Sequence, residues 1–260
     1  ESAKSAILTE METGRVLYEK NAHQALPMAS TTKVMTALLA LEKGTLSDPV
    51  TASRNAFGVP GTSIYLAEGE TLTLDEMLLG LMLQSGNDAA VAIAEHISGS
   101  QEEFSKLMNL KAEEIGCKNT MFLTPNGLDA TQNVNSHGTT AEDLALIMRY
   151  CIKLSPKKEQ FLKITQTPEY SFTNIEGTRN FYCRNHNVFL QMMEGAISGK
   201  TGFTGKAGYC YVGALERDGR RFVVALLACG WPNNKNYKWS DTKELMQYGV
   251  DNYFYRRFDE

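Results

Sequence analysis

Apolar positions fall first in two short runs, Ala6-Ile7-Leu8 and Val16-Leu17-Tyr18, on either side of Glu12-Thr13-Gly14. A glycine supplying turn geometry between such runs predicts an N-terminal β-hairpin. The stretch Val34-Met35-Thr36-Ala37-Leu38-Leu39-Ala40-Leu41 is apolar nearly all round and closes with Lys43-Gly44. Good helix formers, a cationic last turn and a following glycine predict a helix of about four turns lying inside the molecule. From Thr73 to about Lys163 the pattern is mostly helical, and Thr73…Glu76, Ser100…Glu103 and Thr139…Glu142 all have capping-box spacing. A polar break, Gln84-Ser85-Gly86-Asn87-Asp88, separates the apolar runs Met77–Leu83 and Ala89–Ile97. After about Gln166 the pattern turns to strands. Tyr209–Leu215 and Phe222–Cys229, joined by Arg217-Asp218-Gly219-Arg220, read as a hairpin. Asp241 to about Phe258 is predicted to be an amphipathic helix that packs through Leu245, Met246, Tyr248, Val250 and Tyr253. Strands at both ends around a helical middle predict an α+β fold. An antiparallel sheet built from both chain ends would pack against helices, with an inserted helical lobe over about residues 45–163. No repeat or low-complexity linker interrupts the pattern, so residues 1–260 are expected to form a single domain.

Composition narrows the function classes. Hydrophobic residues at 43% and charged residues at 22% are ordinary globular values, and a net charge of −4 argues against a nucleic-acid partner. No apolar run approaches the length of a membrane helix, which needs about 20 residues. The chain opens Glu1-Ser2-Ala3-Lys4 with no apolar segment following, so no signal peptide is read. The five cysteines are widely spaced and odd in number, which disfavours a disulfide framework. The four histidines show no zinc-ligand spacing, so no metal is expected.

Three short motifs carry candidate chemistry. A serine hydroxyl is undissociated at neutral pH and needs a base to become a nucleophile. Ser-x-x-Lys places an amine on the same helix face as the hydroxyl, and desolvation can hold that amine neutral. The pattern occurs at Ser30…Lys33, Ser155…Lys158 and Ser240…Lys243. Only the first opens an apolar helix; the others sit among charges that would keep lysine solvated and protonated. Ser30…Lys33 is either a catalytic pair at the positive end of a helix or an N-cap serine with a snorkelling lysine. Ser-x-Asn occurs at Ser53…Asn55 and at Ser85…Asn87; the second lies in the break between apolar helices, as functional polar residues or a simple turn. Lys200-Thr201-Gly202 lies in a glycine-flanked strand, Ile197 to Phe203. Its glycines suggest close approach of a ligand or another backbone, the alternative being an exposed edge strand.

In this order and spacing the three motifs resemble the serine penicillin-binding protein and β-lactamase superfamily. Ala29-Ser30-Thr31-Thr32-Lys33-Val34-Met35-Thr36-Ala37 is similar to the active-site segment of its D-alanyl-D-alanine carboxypeptidases, the low-molecular-weight penicillin-binding proteins. So are Asp88-Ala89-Ala90, Asn126-Gly127-Leu128-Asp129, Thr140-Ala141-Glu142-Asp143-Leu144-Ala145 and Lys206-Ala207-Gly208-Tyr209. The resemblance runs from about Ser5 to Phe254.

What it implies is a β-lactamase/transpeptidase-like catalytic domain and a two-step acyl transfer on peptidoglycan stem peptides ending in D-Ala-D-Ala. Ser30 is then the nucleophile and Lys33 its base, with Ser85 relaying a proton to the leaving D-alanine. Asn87 positions the substrate backbone, and Lys200 and Thr201 hold its carboxylate. Gly202 completes the strand motif, and the amides of Ser30 and Phe203 form an oxyanion hole. β-Lactams should acylate the same serine, no metal or organic cofactor is needed, and the location is extracytoplasmic. Some members have histidine where this chain has Phe203 and Asn126, and an arginine roughly where it has Lys238. Many continue into a β-rich domain and a membrane anchor; this chain stops at Glu260, so neither is expected in it, and membrane contact would come only through such segments. The rivals are a D,D-endopeptidase, a class A β-lactamase and a non-catalytic homologue. The β-lactamase glutamate pattern has a formal match in Glu176-Gly177-Thr178-Arg179-Asn180, but only 24 residues before Lys200 and without the usual proline, and reads as coincidence.

Overall fold

A computed structural model describes residues 2–256. The hairpin strands β1 (Ser5–Glu10) and β2 (Val16–Lys20) lead into α1 (Lys33–Lys43). The short strands β3 (Pro49–Thr51) and β4 (Thr71–Thr73) pair with each other, and α2 (Leu74–Met82), α3 (Asn87–Ser98) and α4 (Gln101–Ile115) follow. A small hairpin, β5 (Thr131–Gln132) with β6 (Asn135–Ser136), precedes α5 (Ala141–Arg149) and α6 (Lys158–Gln166). Next come the hairpin β7 (Glu169–Thr173) and β8 (Asn180–Arg184), the short α7 (Phe189–Met192), strands β9 (Ala196–Thr204), β10 (Gly208–Arg217) and β11 (Arg220–Leu227), and α8 (Tyr237–Asn252).

Both chain ends build one antiparallel sheet in the order β2-β1-β11-β10-β9. β1 closes on β11 with Ile7 opposite Ala225, so the first and last strands in sequence are neighbours in space. Side chains alternate between its two faces. Ile7, Val223, Ala225 and Leu227 join the core formed with α1 to α6, while Ala6, Leu8, Phe222, Val224 and Leu226 join a second core under α7 and α8. Burial on both faces explains why these strands read as continuous apolar runs rather than alternating ones. β9 has a strand on one side only, and that open edge faces the turn that carries Ser30.

Several boundaries differ from the expectations, each for a tertiary reason. α1 is shorter than four turns because Ala29–Thr32 forms a separate 3-10 turn ahead of it. Thr73 makes the full capping box with Glu76, but Ser100 receives only the Glu103 amide, since the Glu103 carboxylate turns to Lys106. At the third position the cap is Thr140, which accepts from the Asp143 amide; the Thr139 hydroxyl is engaged with Thr120 instead. α8 begins earlier than expected, where Lys238 and Trp239 are buried. It ends at Asn252 because Arg220 takes the carbonyls of Val250 and Tyr253, both at 2.7 Å. The expected extension to Phe258 lies outside the described residues. All five cysteines are free thiols, four of them buried.

Candidate active site

Ser30 sits on the 3-10 turn Ala29–Thr32 that feeds α1, and Lys33 is the first residue of that helix. The turn is entered through Ala29 at φ +49°, left-handed backbone that costs a non-glycine residue energy and needs outside support. The segment 125–127 supplies it. A Cβ on Gly127 would fall 2.0 Å from the Ala29 carbonyl oxygen, so only glycine lets the two backbones meet. The Thr36 hydroxyl fixes this segment by donating to the Pro125 carbonyl at 2.6 Å.

Lys33 is fully buried, and its Nζ lies 2.6 Å from Ser30 Oγ, 2.8 Å from Asn87 Oδ1 and 2.7 Å from the Asn126 carbonyl. Asn87 must present its oxygen here, because its Nδ2 donates to the Pro60 carbonyl at 2.8 Å. Burial, reinforced by the charge of Lys200 and opposed by Asp88, holds the Lys33 amine well below the ordinary lysine range. A neutral amine has two N–H donors and one lone pair. Asn87 and Asn126 take the donors, and the lone pair is left for the Ser30 hydroxyl.

Ser85 occupies the break between α2 and α3 at φ +60° and is almost fully buried. Its Oγ accepts from Lys200 Nζ at 3.0 Å, and Lys200 also donates to the Thr201 carbonyl at 2.7 Å. Burial pulls Lys200 down to about 7. The neighbouring Asp88 carboxylate accepts from the amides of Ile64 and Leu66 and from the Ser63 hydroxyl at 3.1, 2.9 and 2.7 Å. That loop carries Thr62, whose carbonyl in turn accepts from the Asn87 amide.

Gly202 brings β9 against the nucleophile turn: a Cβ there would lie 2.6 Å from the Ser30 amide nitrogen and 3.0 Å from that of Thr31. Between them opens a cleft of about 340 Å³, lined by Ser30, Thr62, Ser85, His186, Thr201, Gly202, Phe203, Tyr209, Lys238 and Trp239. Phe203 is 39% exposed and rests on the Tyr209 ring, 4.6 Å between centroids. Lys238 stands over the rings of Tyr209 and Trp239 at 4.3 and 4.7 Å, and burial brings its amine to about 8.

With this geometry the comparisons with known proteins agree. Residues 1–229 match the family model described as D-alanyl-D-alanine carboxypeptidase. The chain belongs to this family. The D-alanyl-D-alanine carboxypeptidase DacF of Bacillus subtilis is 40% identical over 239 residues, which are 90% of this chain and 59% of the relative. The chain therefore spans about three fifths of that relative's length. A solved D-alanyl-D-alanine carboxypeptidase from Mycobacterium tuberculosis is 33% identical with a TM-score of 0.86, over 96% of this chain and 91% of that one. Penicillin-binding protein D2 of Listeria monocytogenes, solved in an ampicillin-bound form, is 30% identical with a TM-score of 0.81, over 96% of this chain and 97% of that one. These neighbours place the fold among the penicillin-binding proteins.

All eight residues singled out in the sequence converge here. Ser30, Ser85, Thr201, Gly202 and Phe203 line the cleft, while Lys33, Asn87 and Lys200 stand buried behind it. The repeated patterns do not join them. Lys158, Ser240, Lys243 and Asn55 are exposed, and Glu176 is exposed at the β7–β8 turn. Lys238, flagged only by the family's arginine, lies in the cleft wall. Sequence reasoning missed Asp88, Thr62, His186 and Trp239 as parts of the site. An acid buried just after Ser-Gly-Asn was the one available signal; the others come from distant loops without a motif.

Proposed function

We propose that this chain is a single catalytic domain acting as a serine D,D-carboxypeptidase, removing the terminal D-alanine from peptidoglycan stem peptides through an acyl-Ser30 intermediate. The observation that carries the reading is the Lys33 amine, desolvated, with both N–H groups committed and Ser30 Oγ at 2.6 Å. In the reaction Lys33 takes the hydroxyl proton as Ser30 attacks the D-Ala-D-Ala carbonyl. The oxyanion forms between the amides of Ser30 and Phe203, which the bare Gly202 lets converge. The C–N bond then breaks, and the proton that Lys33 took passes by way of Ser85, which Lys200 contacts, to the leaving amine, so that Lys33 is neutral again. Cationic Lys200 and the Thr201 hydroxyl hold the substrate carboxylate, and Asn87 orients its backbone. Water attacks the acyl-enzyme, passes a proton to Lys33 and regenerates Ser30. A β-lactam offers the same serine a cyclic amide, as the ampicillin-bound Listeria relative illustrates. Such substrates lie outside the cytoplasmic membrane, so the domain works in the bacterial envelope.

The test is the intact mass of the protein after incubation with a penicillin, with Ser30→Ala alongside, followed by assay of D-alanine release. A single lasting adduct on the wild type only, together with free D-alanine, supports the reading. Rapid loss of the penicillin without an adduct replaces it with a β-lactamase, and an intact penicillin with no adduct replaces it with a non-catalytic binder. Cleavage of crosslinked peptide with no free D-alanine replaces it with an endopeptidase.

A further inference from the structure

The molecule has a cavity larger than the catalytic cleft. A second groove of about 560 Å³ runs between the β9–β10 turn and the exposed β5–β6 hairpin. Leu26, Pro27, Met121 and Gly138 lie along it, with Lys118 on one side and Lys206 on the other. Asn119, Thr120, Asn135 and Ser136 complete the wall, the Asn119 amide and Thr120 hydroxyl being turned inward to the buried Asp143 carboxylate, and no aspartate or glutamate is in the lining. Neither lysine ammonium has an ion-pair or hydrogen-bond partner among the described residues, and both side chains are exposed. Two unpaired cations on either side of a groove with no carboxylate in its lining form a site for an anion carried on a polar chain.

The groove is tied to the catalytic cleft at three places. Pro27 in its floor stands three residues before Ser30, and Lys206 stands three residues after Phe203. His137 in its inner wall is bonded to Thr32, with ring Nε2 and hydroxyl 2.8 Å apart. Its Nδ1 accepts from the Leu123 amide at 2.9 Å, so Nε2 carries the proton and donates. The turn bearing Lys206 is held in shape. Trp231 Nε1 donates to the Gly205 carbonyl at 2.9 Å, and the Ala207 amide donates to Thr204 Oγ1 at 3.0 Å.

The catalytic reading gives the substrate a direction. With its terminal carboxylate at Lys200 and Thr201 and its reacting carbonyl between Ser30 and Phe203, the acyl side leaves along the open edge of β9, past Thr204 toward Lys206. Chain added to a sheet edge is guided by the strand beside it. We infer that the groove between Lys118 and Lys206 is a subsite for the acyl side of the substrate and selects peptides that carry a carboxylate there. The inference rests on the carboxypeptidase reading.

Two N-acetylated peptides ending in D-Ala-D-Ala test it: one neutral on its acyl side, and the same peptide extended there by a glutamyl residue. D-Alanine release is followed for each. The wild type should show a kcat/KM about tenfold higher for the acidic peptide, the size expected of two partly solvated charge contacts. Added salt should erode that preference. In the Lys118→Ala/Lys206→Ala double variant the ratio should fall to near one, and in Lys206→Glu it should drop below one. A wild-type ratio of one, or a preference that survives in both variants, overturns the subsite while leaving the catalytic reading intact. Failure to hydrolyse either peptide, with no penicillin adduct, instead overturns the catalytic reading on which it rests.

Discussion

Lys33 is the first residue of α1 and Lys158 the first residue of α6, and each has a serine three residues before it. The sequence spacing is therefore repeated, but the surroundings are not. α1 is buried from Lys33 through Leu41, whereas α6 buries only Phe161, Ile164 and Thr165. Ser155 is itself buried, yet its hydroxyl donates to Glu42 Oε1 at 2.9 Å, and Lys158 is exposed, its amine reaching the Lys153 carbonyl at 3.5 Å. Lys33, fully buried, lies 2.6 Å from Ser30. The comparison teaches that spacing alone does not pair the two groups; burial of the amine against the hydroxyl is what turns the pattern into chemistry. A solvated ammonium on the same face has no lone pair to offer.

The largest effect separates the two lysines. Lys33→Ala should leave the fold intact and slow penicillin acylation by about 10²–10⁴-fold. Lys158→Ala should acylate at the wild-type rate. Stopped-flow acylation measures both, and a wild-type rate in Lys33→Ala would remove its role as base. Gly202→Ala comes next. Its Cβ, 2.6 Å from the Ser30 amide, must push β9 away from the nucleophile turn, and spoiling an oxyanion donor costs about 10²–10³ in kcat. A variant that turns over D-Ala-D-Ala substrate normally would show that β9 does not need this close approach.

A smaller effect sharpens the contrast between the two buried amines of the site. Lys200 is cationic below about 7 and loses its proton as pH rises through that value. Carboxylate binding should weaken on the alkaline side, with KM rising by up to about tenfold per pH unit. Lys33 has the opposite requirement, since it works when neutral, so activity should fall as the solution becomes acidic enough to protonate it. The product is a bell-shaped kcat/KM profile. Lys200→Arg keeps its charge at all these pH values and should erase the alkaline limb while retaining the acid one. An unchanged alkaline limb in that variant would assign it to another group.

The sheet and most helices were legible because burial on one or both faces leaves a period in the sequence. The eight candidate site residues, which the fold brings together, could be picked out because their side-chain types fall at motif spacing. Features that were not legible depend on partners remote in sequence. Lys33 is completed by the backbone carbonyl of Asn126, and a backbone acceptor leaves no mark on residue type. The cap shifted to Thr140 next to Asp143, whose carboxylate is occupied by the amides of Lys118 and Asn119 and the hydroxyl of Thr120, from a loop over twenty residues away. The start of α8 was missed because Lys238 looks solvent-facing until the Tyr209 ring lies against its amine and Tyr211 packs on the neighbouring Trp239.

The smallest expected effect returns to the second serine. Ser155→Ala removes the donor to Glu42 Oε1 and leaves that half-hidden carboxylate with Lys111, 2.9 Å from its other oxygen. Stripping one partner from a buried acceptor costs about 1–3 kcal/mol. Chemical unfolding should therefore show Ser155→Ala destabilised by that amount, with penicillin acylation unchanged. Ser30→Ala should show the reverse, a stability near that of the wild type and no acylation. If Ser155→Ala lost acylation while folded, or if Ser30→Ala kept it, burial of the amine would not be what distinguishes the two pairs.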